Sequence, residues 1–501
     1  MTRKSKFFLF FLIIFLFLFT LLVFGMISVG KRHDPFTQFI KSLLPENVNH
    51  VLKKTVFSIP LLNQKTEQHE ISIKELEATI VELNAKIEYL MAGSGLQKSR
   101  DIKSKSNNYN IKTFLLPFPS FNKWTTKYEL GGKPIAYLEQ TDNEIIITSG
   151  HGDFFSFEKK NIESENLVLK RIESNIKNLI KDEKFYSLGA YSIRDLLILN
   201  NKILFSFTKE LSNNCYNTSI MISDFNLNYL KFAEFFSYKD CLSKKTNKGF
   251  SPVSSGGRMV YFKNGKILLT IGSFSRYGPD AIIITAGHRK QTVKYEPVAQ
   301  AKNSMFGKII SIDLKSKDYE ILTMGSRNQQ GLYYDEDKNI IIFTEHGPKG
   351  GDEININFHP DNKIIENYGW PISSYGEHYD GLFRENAPLH KSHKDFGFIE
   401  PIKYFTPSIA ISEIISIPET FNEKFTNDFF VGAMGFKKQI NEGDQSIHHI
   451  RFNENFDKII FEDVIPIGER IRDMIFIKEK NIVLMVLEST PAIGILKQIF
   501  N

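Results

Sequence analysis

From residue 114 to 501 the chain predicts an all-β fold of the β-propeller kind, on three observations. Runs such as EIIITSG, DLLILNNKILFSFT, MVYFKNGKILLTIG, GKIISIDL, NIIIFTEHG, NDFFVGAMG and NIVLMVLE are β-branched and aromatic, and Asn, Gly, Asp and Lys separate them, the pattern of short strands and turns. In LLILNNKILFSF and MVYFKNGKILLTIG the turn is Asn-Asn or Asn-Gly, residues that accept the positive φ of a tight hairpin. No amphipathic helix of ordinary length recurs over about 390 residues, a length that exceeds one sandwich and requires small sheets repeated around an axis.

The segments before the propeller follow in order. Residues 1–6 hold Arg3, Lys4 and Lys6 and read as a cytoplasmic tail. Residues 7–30 carry no charge over 24 positions, enough for a helix to cross a hydrocarbon core of roughly 30 Å. A secretory signal has a shorter apolar core and a small-x-small cleavage site, of which Ser28-Val29-Gly30 is a faint version. The expectation is a retained signal-anchor crossing once, with the propeller on the extracytoplasmic (periplasmic) side. Lys31 and Arg32 follow the span, so the positive-inside bias is small.

Residues 66–92 place Ile73, Ile80 and Ile87 at a positions and Leu76, Leu83 and Leu90 at d positions, a choice that favours parallel two-stranded coiled coils. A homodimeric stalk is expected. Because the run covers only about three heptads, an amphipathic helix packed on its own domain is the alternative. Residues 93–113 open on Gly93-Ser94-Gly95 and continue through the polar QKSRDIKSKSNNYN, which reads as a linker.

Composition narrows the function. A chain of 501 residues that is 42% hydrophobic and 24% charged is globular, not disordered. Its net charge of +6 is spread without a Lys/Arg block, and with no nucleic-acid motif this argues against a nucleic-acid partner. Cys215 and Cys241 are the only cysteines. They form one disulfide in an oxidising compartment or stay as two buried thiols, since sequence does not set their separation.

The stretch Ser326 to Tyr379 contains R-N-x-Q-G-L, then E-H-G-P-x-G-G-D-E, then N-Y-G-W-P, and it resembles the glucose/sorbosone dehydrogenase family, especially its aldose sugar dehydrogenase branch. GERIRDM (Gly468 to Met474) looks like the family's paired arginines before the last blade, and GGRMVYFKNGKILLTIG (Gly256 to Gly272) like its second-blade hairpin. The resemblance implies a six-bladed propeller whose funnel binds pyrroloquinoline quinone (PQQ) and calcium and oxidises the anomeric carbon of an aldose. It assigns calcium to the carbonyls of Gly347 and Pro348; oxygen ligands on a glycine-rich turn suit that ion. It assigns the cofactor to Arg327, Asn328, Arg470 and Arg472, with Lys437 near the family's lysine position, and a guanidinium fork matches a carboxylate-bearing quinone. Asp352 and Glu353 either orient the loop or face water, and Tyr368 and Trp370 read as packing residues or funnel wall.

Three positions depart from the family. Ser254 stands where the family has its catalytic histidine, Ser273 where it has an aspartate, and GAYSIRDLL shows no counterpart of its glutamine. Serine does not act as a general base unaided, whereas histidine titrates near working pH. Two functions follow. One is a quinoprotein oxidoreductase with His346 or His151 as substitute base; the other is a catalytically silent propeller that binds a carbohydrate or cofactor, or serves as a scaffold.

Overall fold

The computed structural model describes residues 96–103, 108–116, 136–247, 249–277, 282–284, 290–292, 298–389, 393–421, 426–435 and 443–499. The expected tail, membrane span and coiled coil lie outside the described residues, as does Lys437.

Among the described residues six sheets, antiparallel except for one short parallel edge strand in the first and third, stand around one axis as blades. Their inner strands are Ala136–Gln140, Ile193–Leu199, Gly256–Phe262, Gln329–Asp335, Ile411–Ile417 and Ile471–Ile477. Each packs on the next, and the sixth on the first, which closes the ring. The hairpins form where the turn chemistry places them: Asn200 and Asn201 have φ of 50° and 58°, and Asn264 and Gly265 have 59° and 72°. The Gly256 hairpin opens the third blade in chain order, not the second as expected from the resemblance, because a four-stranded sheet from Ile193 to Phe236 precedes it.

Each interface between blades has its own apolar cluster. Going round from blades one and two, the pairs Phe154 with Phe205, Leu204 with Leu269, Ile309 with Phe343, Ile342 with Val431, Phe430 with Met485 and Leu484 with Ile147 share a cluster. Both faces of each sheet are buried, so the central strands read as continuous apolar runs; each buried Ile, Leu or Phe contributes about 1.5–3 kcal/mol.

The segment expected as a linker, 93–113, is structural in its described part. Tyr109–Leu115 pairs with Ala492–Gln498, and Lys98–Lys103 adds outside it. Tyr109, Ile111 and Thr113 are buried while their neighbours Asn110 and Lys112 are half-buried, an alternation hidden among polar residues. Blade six therefore contains strands from both ends of the propeller sequence. In blade two Cys215 and Cys241 are joined as a disulfide, their Cα atoms 5.3 Å apart.

Arg258 plugs the axis. Its Nη1 donates to Asp195 Oδ1 at 2.9 Å and to Asp473 Oδ1 at 2.7 Å, and forms an ion pair with Glu413 Oε2 at 2.7 Å. Backbone N–H groups of Met259, Ile414 and Leu138 donate to the second oxygens of Asp195, Glu413 and Asp473 at 2.6, 2.9 and 2.7 Å. Every oxygen of the three carboxyls is thus met, as burial of such groups requires. The plug and Glu139 also line an otherwise largely apolar axial cavity of about 240 Å³.

Candidate functional site

In five of the six blades the pairing of the inner strand with its neighbour slips near its start, between Ile193 and Asp195, Gly256 and Met259, Gln329 and Gly331, Ile411 and Ile414, and Ile471 and Asp473. Such bulges re-aim side chains. Arg194, Gln330 and Arg472 occupy three of these slips. The third blade's slip needs glycine: a Cβ on Gly257, which has φ +117°, would overlap the Arg194 side chain.

One hydrogen-bonded chain crosses this end of the axis. Glu488, buried, accepts from Arg472 Nε at 2.5 Å and from Arg470 Nε at 3.0 Å. Arg472 Nη1 donates to Gln330 Oε1 at 3.0 Å, and Gln330 Nε2 donates to Asn328 Oδ1 at 3.1 Å. Asn328 Nδ2 lies 3.5 Å from His346 Nδ1, and Arg327 Nη1 donates to the His346 carbonyl at 2.9 Å. Two guanidiniums, those of Arg470 and Arg472, thus share one carboxylate, and that of Arg327 stands at the other end of this hydrogen-bonded run. Although burial works against ionisation, Arg472 and Arg470 hold the Glu488 carboxyl below its ordinary range.

The glycine loop is fastened from beneath. Asp352 accepts from Gly347 N at 3.0 Å and from Ile411 N at 3.1 Å, which ties the loop to blade five. Asp352 and Glu353 are both buried, so the water-facing alternative for this pair is overturned. Burial pushes the Asp352 carboxyl up to about 6. A Cβ on Gly347 would overlap the Gly351 carbonyl, so the turn closes only with glycine there. Arg327 lies over the buried Trp370 ring at 5.3 Å, and Tyr368 is buried with its hydroxyl on the Ile356 carbonyl.

His346 is fixed as one tautomer. Its Nε2 lies 2.6 Å from the Ile411 carbonyl, which only accepts, so Nε2 carries the proton and Nδ1 keeps a lone pair. Burial, then the charges of Arg327 and Arg472, pull the imidazole down to about 3. His151 is placed elsewhere, at the end of blade one's second strand, with Nδ1 2.6 Å from the Phe185 carbonyl.

The departures are equally concrete. Ser254 is buried at the end of a short 3-10 turn. Ser273 donates through Oγ to the Arg327 carbonyl at 3.1 Å, a structural bond and no acid. GAYSIRDLL supplies Arg194, whose guanidinium donates to the Ala190 carbonyl and, at 3.3 Å, to the Pro252 carbonyl two residues from Ser254. Burial lowers Arg194 to about 10. Sequence reasoning missed Arg194, Gln330 and Glu488. Gln330 stood inside the quoted R-N-x-Q-G-L, Arg194 was a charge at the start of an apolar strand, and Glu488 ended another.

The donor set fits an anionic quinone and a calcium ion. Arg327 Nε is buried without an acceptor among the described residues. Among the same residues no N–H or O–H donates to the carbonyl oxygens of Gly347 and Pro348, and carbonyls left free at a rigid turn suit calcium.

The family model described as Glucose / Sorbosone dehydrogenase matches residues 198–493. An uncharacterized protein of Synechocystis sp. is 31% identical over 233 residues, covering 44% of this chain and 50% of that protein. Aldose sugar dehydrogenase YliI of Escherichia coli is 26% identical over 234 residues, covering 44% and 53%. The chain spans about half the length of the curated relatives it matches. Among solved structures, the soluble aldose sugar dehydrogenase of Escherichia coli in its apo-form has a TM-score of 0.53 at 19% identity, over 73% of this chain and 96% of that one. A glucose dehydrogenase gives 0.54 at 18%, over 74% and 96%. At these identities the structural likeness concerns the fold.

Proposed function

Because the chain belongs to the glucose/sorbosone dehydrogenase family, we propose that it is a sugar dehydrogenase-like quinoprotein that binds PQQ and calcium at the arginine-lined end of its axis and acts on a small aldose. The single observation that carries this reading is that Arg470 and Arg472 share one carboxylate, Glu488, while the Arg327 guanidinium at the other end of the same hydrogen-bonded run donates only to backbone carbonyls, an excess of largely buried positive charge that calls for an anionic ligand. PQQ, when bound, supplies the two-electron acceptor for hydride from the anomeric carbon. Arg327, Asn328, Arg470 and Arg472 are the groups to hold its carboxylates, and the Gly347 and Pro348 carbonyls the groups to hold calcium.

The chain's own proton chemistry is the weak part. The sugar hydroxyl must lose a proton as hydride leaves. Ser254 and Ser273 are not bases at the positions where the family has histidine and aspartate; His346 Nδ1 keeps a lone pair, 3.5 Å from Asn328 Nδ2. Turnover is therefore slow or runs through His346. The two serines also favour a second reading, a silent propeller that binds cofactor or carbohydrate without oxidising it.

We place the propeller on the extracytoplasmic side of a membrane, anchored by residues 7–30 and paired through residues 66–92. PQQ titrated into the detergent-solubilised full chain, with calcium and then with chelator, tests the cofactor assignment by fluorescence. Saturable, calcium-dependent quenching is expected, and its absence in a folded protein overturns the assignment. Dye reduction with a panel of aldoses then separates slow enzyme from silent binder.

A further inference from the structure

Four arginines are buried among the described residues: Arg194, Arg258, Arg327 and Arg384. Arg258 and Arg384 have carboxylate partners, the first on Asp195, Glu413 and Asp473 and the second on Asp380. Within the same residues the guanidiniums of the other two have none. Arg327 is already assigned to the cofactor; Arg194 is not. It stands at the slip of blade two between Ile193 and Asp195. Its Nε donates to Thr208 Oγ1 at 3.3 Å, its Nη2 to the carbonyls of Ala190 and Pro252, and the Tyr137 hydroxyl is a fourth acceptor. The five N–H groups of a guanidinium thus meet four neutral acceptors, and the charge itself meets no carboxylate. Burying a charge without an opposing one is costly.

Arg194 belongs to the same end of the axis as the arginine run. Tyr137 is buried with its ring 5.1 Å from the Arg258 guanidinium, and Arg258 Nη2 donates to the Arg472 carbonyl at 3.0 Å. The charge of Arg472 acts on both Tyr137 and Arg194, while Glu488 acts on Arg194 only from a distance, its oxygens being held by Arg470 and Arg472. Pro252 opens the short turn Pro252–Ser254, so the guanidinium is fastened to the turn that ends where the family has its base. Ser273 carries no charge where the family has an aspartate, so an anion meets no like charge from that position.

We propose that the substrate is an acidic aldose, bearing a carboxylate or phosphate away from the anomeric carbon, and that Arg194 recognises the anionic group. This rests on the reading of the site as a sugar dehydrogenase's and leaves the chemistry at the anomeric carbon unchanged. A guanidinium fork matches carboxylate and phosphate alike. A neutral sugar offers hydroxyls only and leaves the charge unopposed, and a site that keeps a buried group unpaired rejects the analogue that fails to pair it.

Calorimetric titration of the detergent-solubilised full chain, with and without PQQ and calcium, tests this. The ligands are galacturonate, glucuronate and glucose 6-phosphate against galactose, glucose and the neutral methyl ester of galacturonic acid. At least one anionic sugar is expected to bind about tenfold or more tightly than its neutral counterpart. A preference for the uronates alone or for the phosphate alone identifies the group. Arg194→Gln, folded by circular dichroism, should bring each pair within about threefold, and Arg194→Lys, which keeps the charge, should restore part of the gap. Where neither variant folds, the acid and its methyl ester decide the matter in wild type. Equal affinities there, or a preference that survives Arg194→Gln, overturn the proposal. So does a loss of PQQ affinity in Arg194→Gln with the sugar preference intact, which assigns Arg194 to the cofactor. Failure of PQQ to bind at all sinks the cofactor reading, while the titrations without PQQ still decide this one.

Discussion

Glu488 holds Arg472 and Arg470 on its two oxygens at 2.5 and 3.0 Å, and removing that charge leaves two largely buried guanidiniums without the carboxylate they share. Breaking a buried ionic group costs about 3–5 kcal/mol, so Glu488→Gln is expected to lower stability by that order in urea unfolding and to weaken PQQ binding at least tenfold. At Ser254 the direction reverses. Ser254→His restores a base where the family has one, and general-base catalysis is worth about 10²–10⁴ in rate; sugar-dependent dye reduction should rise, and an unchanged rate would show that Ser273 also limits the reaction. Which of these residues were legible is instructive. Arg327, Asn328, Arg470 and Arg472 lie within contiguous motifs, whereas Glu488 acts from 16 residues beyond Arg472 in the chain and Arg194 is visible as functional only once its bulge is seen.

Turns and bulges decide the site at the next scale. Hairpins such as Leu199 to Lys202 were readable because their geometry is local and Asn200 and Asn201 both adopt positive φ. The bulges were not, because a slip of register is a property of two strands and leaves one sequence unmarked; only the polar pairs Arg194-Asp195, Ser412-Glu413 and Arg472-Asp473 at the start of apolar strands hint at it. The strand Tyr109–Leu115 was hidden for the same reason, its partner being Ala492–Gln498 at the far end of the propeller. At the glycine loop, Gly347→Ala forces the backbone apart at Gly351. The loop lies on the rim of a blade, so folding should survive while calcium-dependent PQQ affinity falls at least tenfold, as fluorescence titration at fixed calcium would show.

Across the whole molecule, the axial plug links stability to pH. Burial, with Asp195 and Asp473 nearby, raises Glu139 from 4.5 to about 8, and burial raises Asp195 from 3.8 to about 7 against the pull of Arg258. A carboxyl raised in the folded state binds its proton more tightly there than in the unfolded chain. Its contribution is therefore complete below about pH 4 and is lost as pH rises through 7 to 8. Glu139→Gln is expected to flatten this decline, with a gain over wild type at pH 9 of at least about 1.4 kcal/mol, the worth of one pKa unit, measured by urea unfolding at pH 5 and pH 9.

Blade six is built from Ile471–Ile477, Ile482–Leu487 and Ala492–Gln498 together with Tyr109–Leu115. On a ribosome the strand around residue 110 emerges long before its partner and waits, unpaired, until the last blade has been synthesised. Blades one to five can collapse in turn during that interval, but the ring closes only afterwards, and contacts across so long a stretch form slowly. The waiting strand is therefore the segment most in need of a chaperone, and a chain stalled before residue 492 would leave it permanently exposed.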